Sequence, residues 1–485
     1  MDEEKIESKP LYRKVSDHYR EAIESGTLTS NQRLPSLRDM MRMHKVSLST
    51  AVQACRYLET QGCVEARDRS GYYVRSDASP KAAEQAARVT GVLDEVGTPR
   101  RSSKIASDAQ SPTPWVQVDL GIATCAPHLY PAEELRKLTV GVMRDDPDIL
   151  ASPAKAMGCM SFKQALARRA LSRGVRVAAE DIIVTHGCSE ALALALRATT
   201  TRGDTVIVES PTYYGFLQLL DSLGLQSLEL PTNPLTGLVI DAVEFALRDK
   251  DRRIAVVMNM PTLHNPMGGT MSNSARERLV RLCKSNDVAL IEDDVYGDFH
   301  PGASQLKSQA AFDTSGQVIY CASLNKALSP GLRLGWMIGG RWREAIEALK
   351  AAQSRPKEEL AQRVAAKYLD SGAFDRHLRR LHVALAIQRE EMTACIKQWF
   401  PREAEVSESD AGMLLWVKLP PRVSSTELCK RALEAQIRIV PGAIFSTSSH
   451  FDGYVRISCG SPLDEARIAA VTTLGRLCSE IAAST

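Results

Sequence analysis

Apolar positions recur at helical spacing near the start of the chain and as short continuous runs further on, and this change of period divides it. Leu11, Val15, Tyr19 and Ile23 lie four apart and predict a helix that stops near Gly26. Pro35-Ser36 opens a second helix, with Ser36 as N-cap and Asp39 three residues on as its capping partner. Ser47 caps a third, whose apolar face is Ala51, Val52, Cys55 and Leu58 and which Gly62 ends. Two strands follow, 63–67 and 71–75, around Asp68-Arg69-Ser70. Three helices and a hairpin in this order make a winged helix-turn-helix. Residues 77–115, rich in Ala, Ser and Pro, lose the periodicity and read as a linker, with a short helix around Ala82–Leu93. Beyond 116, apolar runs at 182–185, 205–208, 254–258, 288–291 and 318–321 alternate with amphipathic helices. That alternation predicts an α/β domain with a mainly parallel sheet, whose ligands gather at the strand carboxyl ends. No internal repeat is visible.

Composition changes this picture little. The 485 residues, 44% hydrophobic and 25% charged, suffice for at least two ordinary globular domains. A net charge of only +3 requires any nucleic-acid contact to come from a local patch. Residues 9–75 supply one, with 12 Lys/Arg against 7 Asp/Glu, including Arg33, Arg38, Arg42 and Arg69 at helix ends or the wing tip. The competing reading of this segment is a small helical domain that binds another protein. Eleven scattered cysteines without a C-x-x-C pair fit reduced thiols, with no disulfide framework and no metal site expected. There is neither an apolar run of membrane-spanning length nor a signal peptide in the polar start, so the expectation is a cytoplasmic protein with no membrane partner.

The candidate chemistry lies at the predicted strand ends. After the run Val318-Ile319-Tyr320-Cys321 come Ser323, Lys326 and Arg333. A lysine becomes a nucleophile when desolvated or placed beside other cations. The flanking hydroxyl and guanidinium suit a phosphate, so the trio suggests pyridoxal 5'-phosphate on Lys326; the alternative is an ordinary surface lysine and arginine. Thr185-His186-Gly187-Cys188-Ser189-Glu190 is a strand-to-helix turn able to hold an anion or merely to connect elements. Tyr213 follows another strand, as a ring for stacking or as a core aromatic. Asn265-Pro266-Met267-Gly268 is a tight turn. Glu292-Asp293-Asp294-Val295-Tyr296 places acids at a strand end, where one carboxylate can face a pyridine nitrogen. Arg456, in an apolar strand, needs a carboxylate partner, structural or from a substrate.

The string Ser323-Leu324-Asn325-Lys326-Ala327-Leu328-Ser329-Pro330-Gly331-Leu332-Arg333-Leu334-Gly335-Trp336 resembles the cofactor-lysine motif of fold-type I aminotransferases, with Asn325 replacing a commoner Ser. Residues 118–480 are similar to that family, Gly412–Trp416 and Val440-Pro441-Gly442 included. The resemblance implies that Cys188, Ser189, Ser323 and Arg333 lie at the cofactor phosphate and Tyr213 at the ring. It further implies Asn265 and Tyr296 at the phenolic oxygen, Asp293 at the ring nitrogen and Arg456 at an effector or substrate carboxylate. Residues 10–76, through Arg33–Arg38, Val46–Val52, Leu58–Gly62 and Ser70–Val74, resemble the GntR DNA-binding domain, with Leu48 where many members carry Arg. That implies contacts to double-stranded DNA from Arg33, Ser36, Arg38, Ser47, Ser49, Thr50, Arg69 and Ser70. The whole chain resembles the MocR subfamily. The expected organisation is therefore a winged helix over 8–76, a linker over 77–115 and a pyridoxal-phosphate-binding domain over 116–485. The last holds a mainly parallel sheet and a smaller α+β subdomain of roughly 350–485 plus the domain's N-terminal segment. The expected function is a homodimeric regulator sensing an amine or amino acid by aldimine formation. The alternatives are a working aminotransferase with an accessory DNA-binding domain, and a regulator whose enzyme-like domain is only a scaffold.

Overall fold

The structure, a computed structural model, describes residues 11–24, 28, 32–60, 63–67, 71–74, 115–154, 158–249, 252–303, 305–409 and 411–484. The chain divides into two compact units, one within residues 1–95 and one within 96–485. The expected linker, apart from Trp115, the helix around Ala82–Leu93, and Arg69 and Ser70 at the wing tip lie outside the described residues.

In the first unit, helices α1 (Leu11–Glu24), α2 (Leu37–His44) and α3 (Leu48–Thr60) precede strands β1 (Val64–Arg67) and β2 (Gly71–Val74). Extended Ser36 caps α2 by accepting the Asp39 amide N–H, and left-handed Lys45 closes it. Ser47 accepts the Thr50 N–H at 3.3 Å at the start of α3. The helices bury Val15, Tyr19, Met40, Ala51, Cys55 and Leu58 against Val64 and Val74 of the hairpin. Leu34 N–H donates to Tyr72 O, and Val74 N–H to Gln32 O, so the segment before α2 lines the wing.

The second unit is built on an eight-stranded sheet. In chain order its strands are β4 (Ile182–Thr185), β5 (Thr205–Ser210), β6 (Gln226–Asn233), β7 (Gly237–Leu238), β8 (Ile254–Asn259), β9 (Ala289–Asp293), β10 (Val318–Ser323) and β11 (Gly335–Ile338). Their spatial order is β4-β11-β10-β9-β8-β5-β6-β7. The pairs from β10 through β9, β8 and β5 to β6 are parallel; β11 runs antiparallel to both its neighbours, and β7 to β6. Strands such as β9 and β10 are buried along their whole length, as the continuous apolar runs require. The carboxyl ends of β4, β5, β8, β9 and β10 share one edge of the sheet. Because β11 is reversed, its amino end reaches the same edge, which brings Arg333 beside Lys326. A second sheet contains β12 (Glu405–Val406), β13 (Leu414–Lys418), β15 (Val440–Pro441) and β16 (Tyr454–Ser458), in the order β12-β13-β16-β15. Short β3 (Val118–Asp119) pairs in parallel with β14 (Ile437–Arg438). No helix among the described residues is long and apolar enough to cross a membrane.

Candidate functional site

Lys326 lies on the turn that leaves β10. The residue is partly accessible, but its amine is enclosed and donates to the carbonyl of Ala123 at 2.5 Å. Desolvation, reinforced by the guanidinium groups of Arg456 and Arg333, pulls the amine down to about 8. Three residues back, Ser323 is 6% exposed and its hydroxyl has no hydrogen-bond partner. Asn325 is also buried, with Oδ1 unpartnered. Buried polar atoms are seldom left alone, so the Ser323 hydroxyl suits a ligand oxygen, and Asn325 Oδ1, an acceptor, suits a water or a ligand N–H or O–H.

Gly187, with φ of +101°, makes the turn between β4 and the helix Cys188–Thr199. A Cβ there would stand 2.8 Å from Asn325 Nδ2 and 3.3 Å from Arg333 Nη2, so a side chain would fill the space between turn and lysine loop. Arg333, exposed and itself left-handed at φ 52°, donates to His186 O at 3.2 Å. Ser189 is exposed in the first turn of the helix. Cradle, hydroxyl and guanidinium thus converge at a helix N-terminus, an arrangement suited to a phosphate.

Asp293, the last residue of β9, is 2% exposed. Its Oδ1 accepts from Val295 N–H at 3.0 Å and from the Cys188 thiol at 3.4 Å. Burial outweighs these donors and pushes the carboxyl up to about 7. Adjacent Asp294 is already committed, to Arg173 at 3.0 Å and the Tyr320 hydroxyl at 2.7 Å. Asp293 forms no ion pair among the described residues, though the Lys326 ammonium and its charge act on one another. Tyr213 lies over Gly215, where a Cβ would meet its ring at 2.4 Å. Burial raises the phenols of Tyr213 and Tyr296.

Arg456, on β16, is 2% exposed; it donates to Asn265 Oδ1 at 3.1 Å and to Gly121 O at 2.5 Å, and its Nε is unpartnered. A buried arginine calls for a carboxylate beside it, structural or from a substrate. Among the described residues no acid pairs with Arg456; an amide and a carbonyl oxygen leave its charge unneutralised, as a carboxylate-binding site requires. The lysine, the carboxylate, the arginine and the phosphate cradle therefore meet at one edge of the sheet, and the residues present fit pyridoxal 5'-phosphate. No group of His, Cys, Asp and Glu suited to a metal occurs among the described residues. Periodicity gave no hint of Glu190 and Lys350 behind the cradle, because polar residues on a helix read as solvent-facing.

On the first unit, Arg33 and Ser36 are exposed just before α2, and Ser47 before α3. Both serines serve as caps, and Ser47 Oγ also lies 2.9 Å from Thr50 Oγ1. Arg38 falls in the first turn of α2 and Ser49 in that of α3.

Residues 11–74 match the bacterial regulatory proteins of the gntR family, and residues 152–472 match aminotransferase class I and II. The chain is 31% identical over 478 residues to YdcR, an HTH-type transcriptional regulator of Escherichia coli (strain K12), covering 97% of this chain and 99% of that one. It is likewise 31% identical to YjiR, another such regulator of the same organism, with 96% and 98% covered. Among solved structures it resembles the alpha-aminoadipate aminotransferase LysN of Thermus thermophilus, complexed with N-(5'-phosphopyridoxyl)-L-leucine. The TM-score is 0.69 at 26% identity, over 79% of this chain and 98% of that one. With a GntR-type winged helix-turn-helix preceding a domain of aminotransferase class I and II, the chain belongs to the MocR subfamily of GntR regulatory proteins.

Proposed function

We propose that the protein is a cytoplasmic, homodimeric DNA-binding regulator that holds pyridoxal 5'-phosphate on Lys326 and senses an amine or amino acid there. The observation that carries this reading is the Lys326 amine itself. It is desolvated, flanked by two guanidinium groups, pulled down to about 8, and set beside buried oxygens that lack partners. The class I and II aminotransferase family is pyridoxal-phosphate-dependent, and full-length similarity to regulators favours sensing over turnover.

In this reading Ser323, Ser189, Arg333 and the amides from Gly187 to Ser189 bind the phosphate. Asp293 provides the charge opposite the ring nitrogen, Tyr213 covers the ring, and Asn265 and Tyr296 serve its hydroxyl. When bound, the cofactor would supply an aldehyde carbon, a partner for the Lys326 amine or for the amine of an effector. Lys326, its amine pulled down to about 8, would hold or release a proton at Nζ. Arg456 receives the effector carboxylate, in competition with the Gly121 carbonyl it now holds at 2.5 Å. Occupancy is thereby felt by the segment after β3, and DNA affinity shifts by as much as the effector favours one arrangement over another. Arg33, Ser36, Arg38, Ser47, Ser49, Thr50, Arg69 and Ser70 provide the DNA contacts, the arginines chiefly to phosphates.

The test is borohydride reduction of protein incubated with pyridoxal 5'-phosphate, followed by peptide mapping and by operator-DNA titrations with and without candidate amino acids. Cofactor fixed on Lys326, with DNA affinity that responds to an amino acid, is the expected result. A Lys326→Ala variant that still traps cofactor would refute the site. Sustained keto-acid formation without any change in DNA binding would make the protein an aminotransferase instead.

A further inference from the structure

Behind the phosphate cradle lies an ion pair that the proposed function does not use. Glu190, in the first turn of the helix Cys188–Thr199, has a side chain only 10% exposed. Its Oε2 accepts the His186 N–H at 2.6 Å and lies 3.1 Å from His186 Nδ1. Its Oε1 has no hydrogen-bond partner and stands 3.7 Å from the ammonium of Lys350, on the helix Arg343–Gln353 and 9% exposed. Lys350 donates in turn to Ser354 Oγ at 3.1 Å and to Arg355 O at 3.3 Å.

A carboxylate is an odd neighbour for an anion site. Unopposed, it would repel a phosphate bound at the N-terminus of its own helix. Lys350 removes that objection by neutralising it. Burial alone would raise the Glu190 carboxyl, but Ser354, the His186 amide and Lys350 outweigh burial and keep it ionised. Ionised, it forms a charge-assisted bond to a backbone N–H, stronger than a neutral acceptor could make. His186 is then held twice, its N–H by Glu190 and its carbonyl by Arg333 at 3.2 Å. The next residue is Gly187, where the cradle begins.

We propose that Glu190 and Lys350 are a positioning pair for the cofactor phosphate, fixing His186 so that Arg333 and the amides after Gly187 face it. The inference rests on the cofactor reading above and deepens it. The experiment compares pyridoxal 5'-phosphate with pyridoxal, which lacks only the phosphate, on full-length wild type, Glu190→Gln and Lys350→Met. Affinities come from absorbance titrations, with thermal melts to check folding. Each variant should lose about tenfold in affinity for the phosphorylated form, one charge-assisted hydrogen bond's worth, with pyridoxal affinity held within about twofold. An unchanged preference, or equal loss of both ligands, overturns the proposal and leaves the pair a role in stability only. Should Glu190→Gln not fold, Lys350→Met carries the same comparison from the other end of the pair. A wild type indifferent to the phosphate overturns the cofactor reading and this role with it, a failure distinct from unchanged preference in the variants alone.

Discussion

Replacing Asp293 with asparagine should stabilise the cofactor-free protein at pH 8 while weakening its hold on pyridoxal 5'-phosphate. The carboxyl is 2% exposed, takes two hydrogen bonds on one oxygen, and is in no ion pair among the described residues. Burial pushes it up from an ordinary 3.8 to about 7. Between those values the folded protein keeps a proton that the unfolded chain has released, so raising the pH favours unfolding. A shift of about three pH units corresponds to at most about 4 kcal/mol, at roughly 1.4 kcal/mol per unit. The penalty vanishes below the unfolded value, grows through pH 5, and is complete above about pH 7. Asparagine has the same shape, can accept the same two donors and carries no charge. Chemical denaturation of the cofactor-free proteins at pH 5 and pH 8 reads the difference directly. The variant should gain most of this energy at pH 8 and less than half of it at pH 5. Adding cofactor should reverse the order, because wild-type Asp293 then has a ring nitrogen to oppose. A stability difference that is the same at both pH values, or a variant less stable at pH 8, would refute the argument.

Other outcomes follow from the same geometry. Arg456→Ala should weaken a carboxylate-bearing effector by about ten- to a hundredfold, the range for hydrogen bonds to charged groups, and leave the corresponding decarboxylated amine unaffected. Equal effects on both ligands would show that the arginine only supports Asn265. The rate of cofactor attachment should rise with pH through about 8, since the neutral Lys326 amine is the nucleophile and its amine is pulled down to that value; a midpoint near 10.5 would mean the amine is solvated. DNA affinity should reside in residues 10–76, and Arg38→Ala should flatten the log–log salt dependence by about 0.9 if the residue meets a phosphate. A loss confined to one base position would make Arg38 a base reader instead.

The strands were legible because buried parallel strands leave continuous apolar runs: Ile182–Thr185 and Val318–Ser323 lie where those runs fall. Their spatial order was not legible, since one run cannot say which other it pairs with. β11 was hidden inside the lysine motif, where Gly335-Trp336-Met337-Ile338 is too short to show a period. Lys326, Asp293 and Arg456 stood out because each puts a charge beside an apolar run. The family resemblance picked Asp293 over Asp294, but the physical reason was not legible, for Arg173 and Tyr320, which occupy Asp294, lie far from it in sequence. The pairing of Glu190 with Lys350 was hidden for a like reason: 160 positions separate two residues whose charges meet.

One small element fixes where the chain enters the second unit. β3 joins β14, Asp119 grips Arg438, and the next residue, Leu120, donates its N–H to Arg438 O and accepts from Ser458 N–H. The chain entering the domain is therefore sewn to the C-terminal strands just before the Ala123 carbonyl meets the Lys326 amine. Mechanically, this makes residues 118–120 the mooring point of the covalent connection to the winged helix. Whenever the C-terminal strands turn against the larger sheet, the mooring travels with them. A rotation of those strands would then displace the chain's point of departure, carried first by the β3–β14 pairing and the Asp119–Arg438 ion pair and then along the backbone.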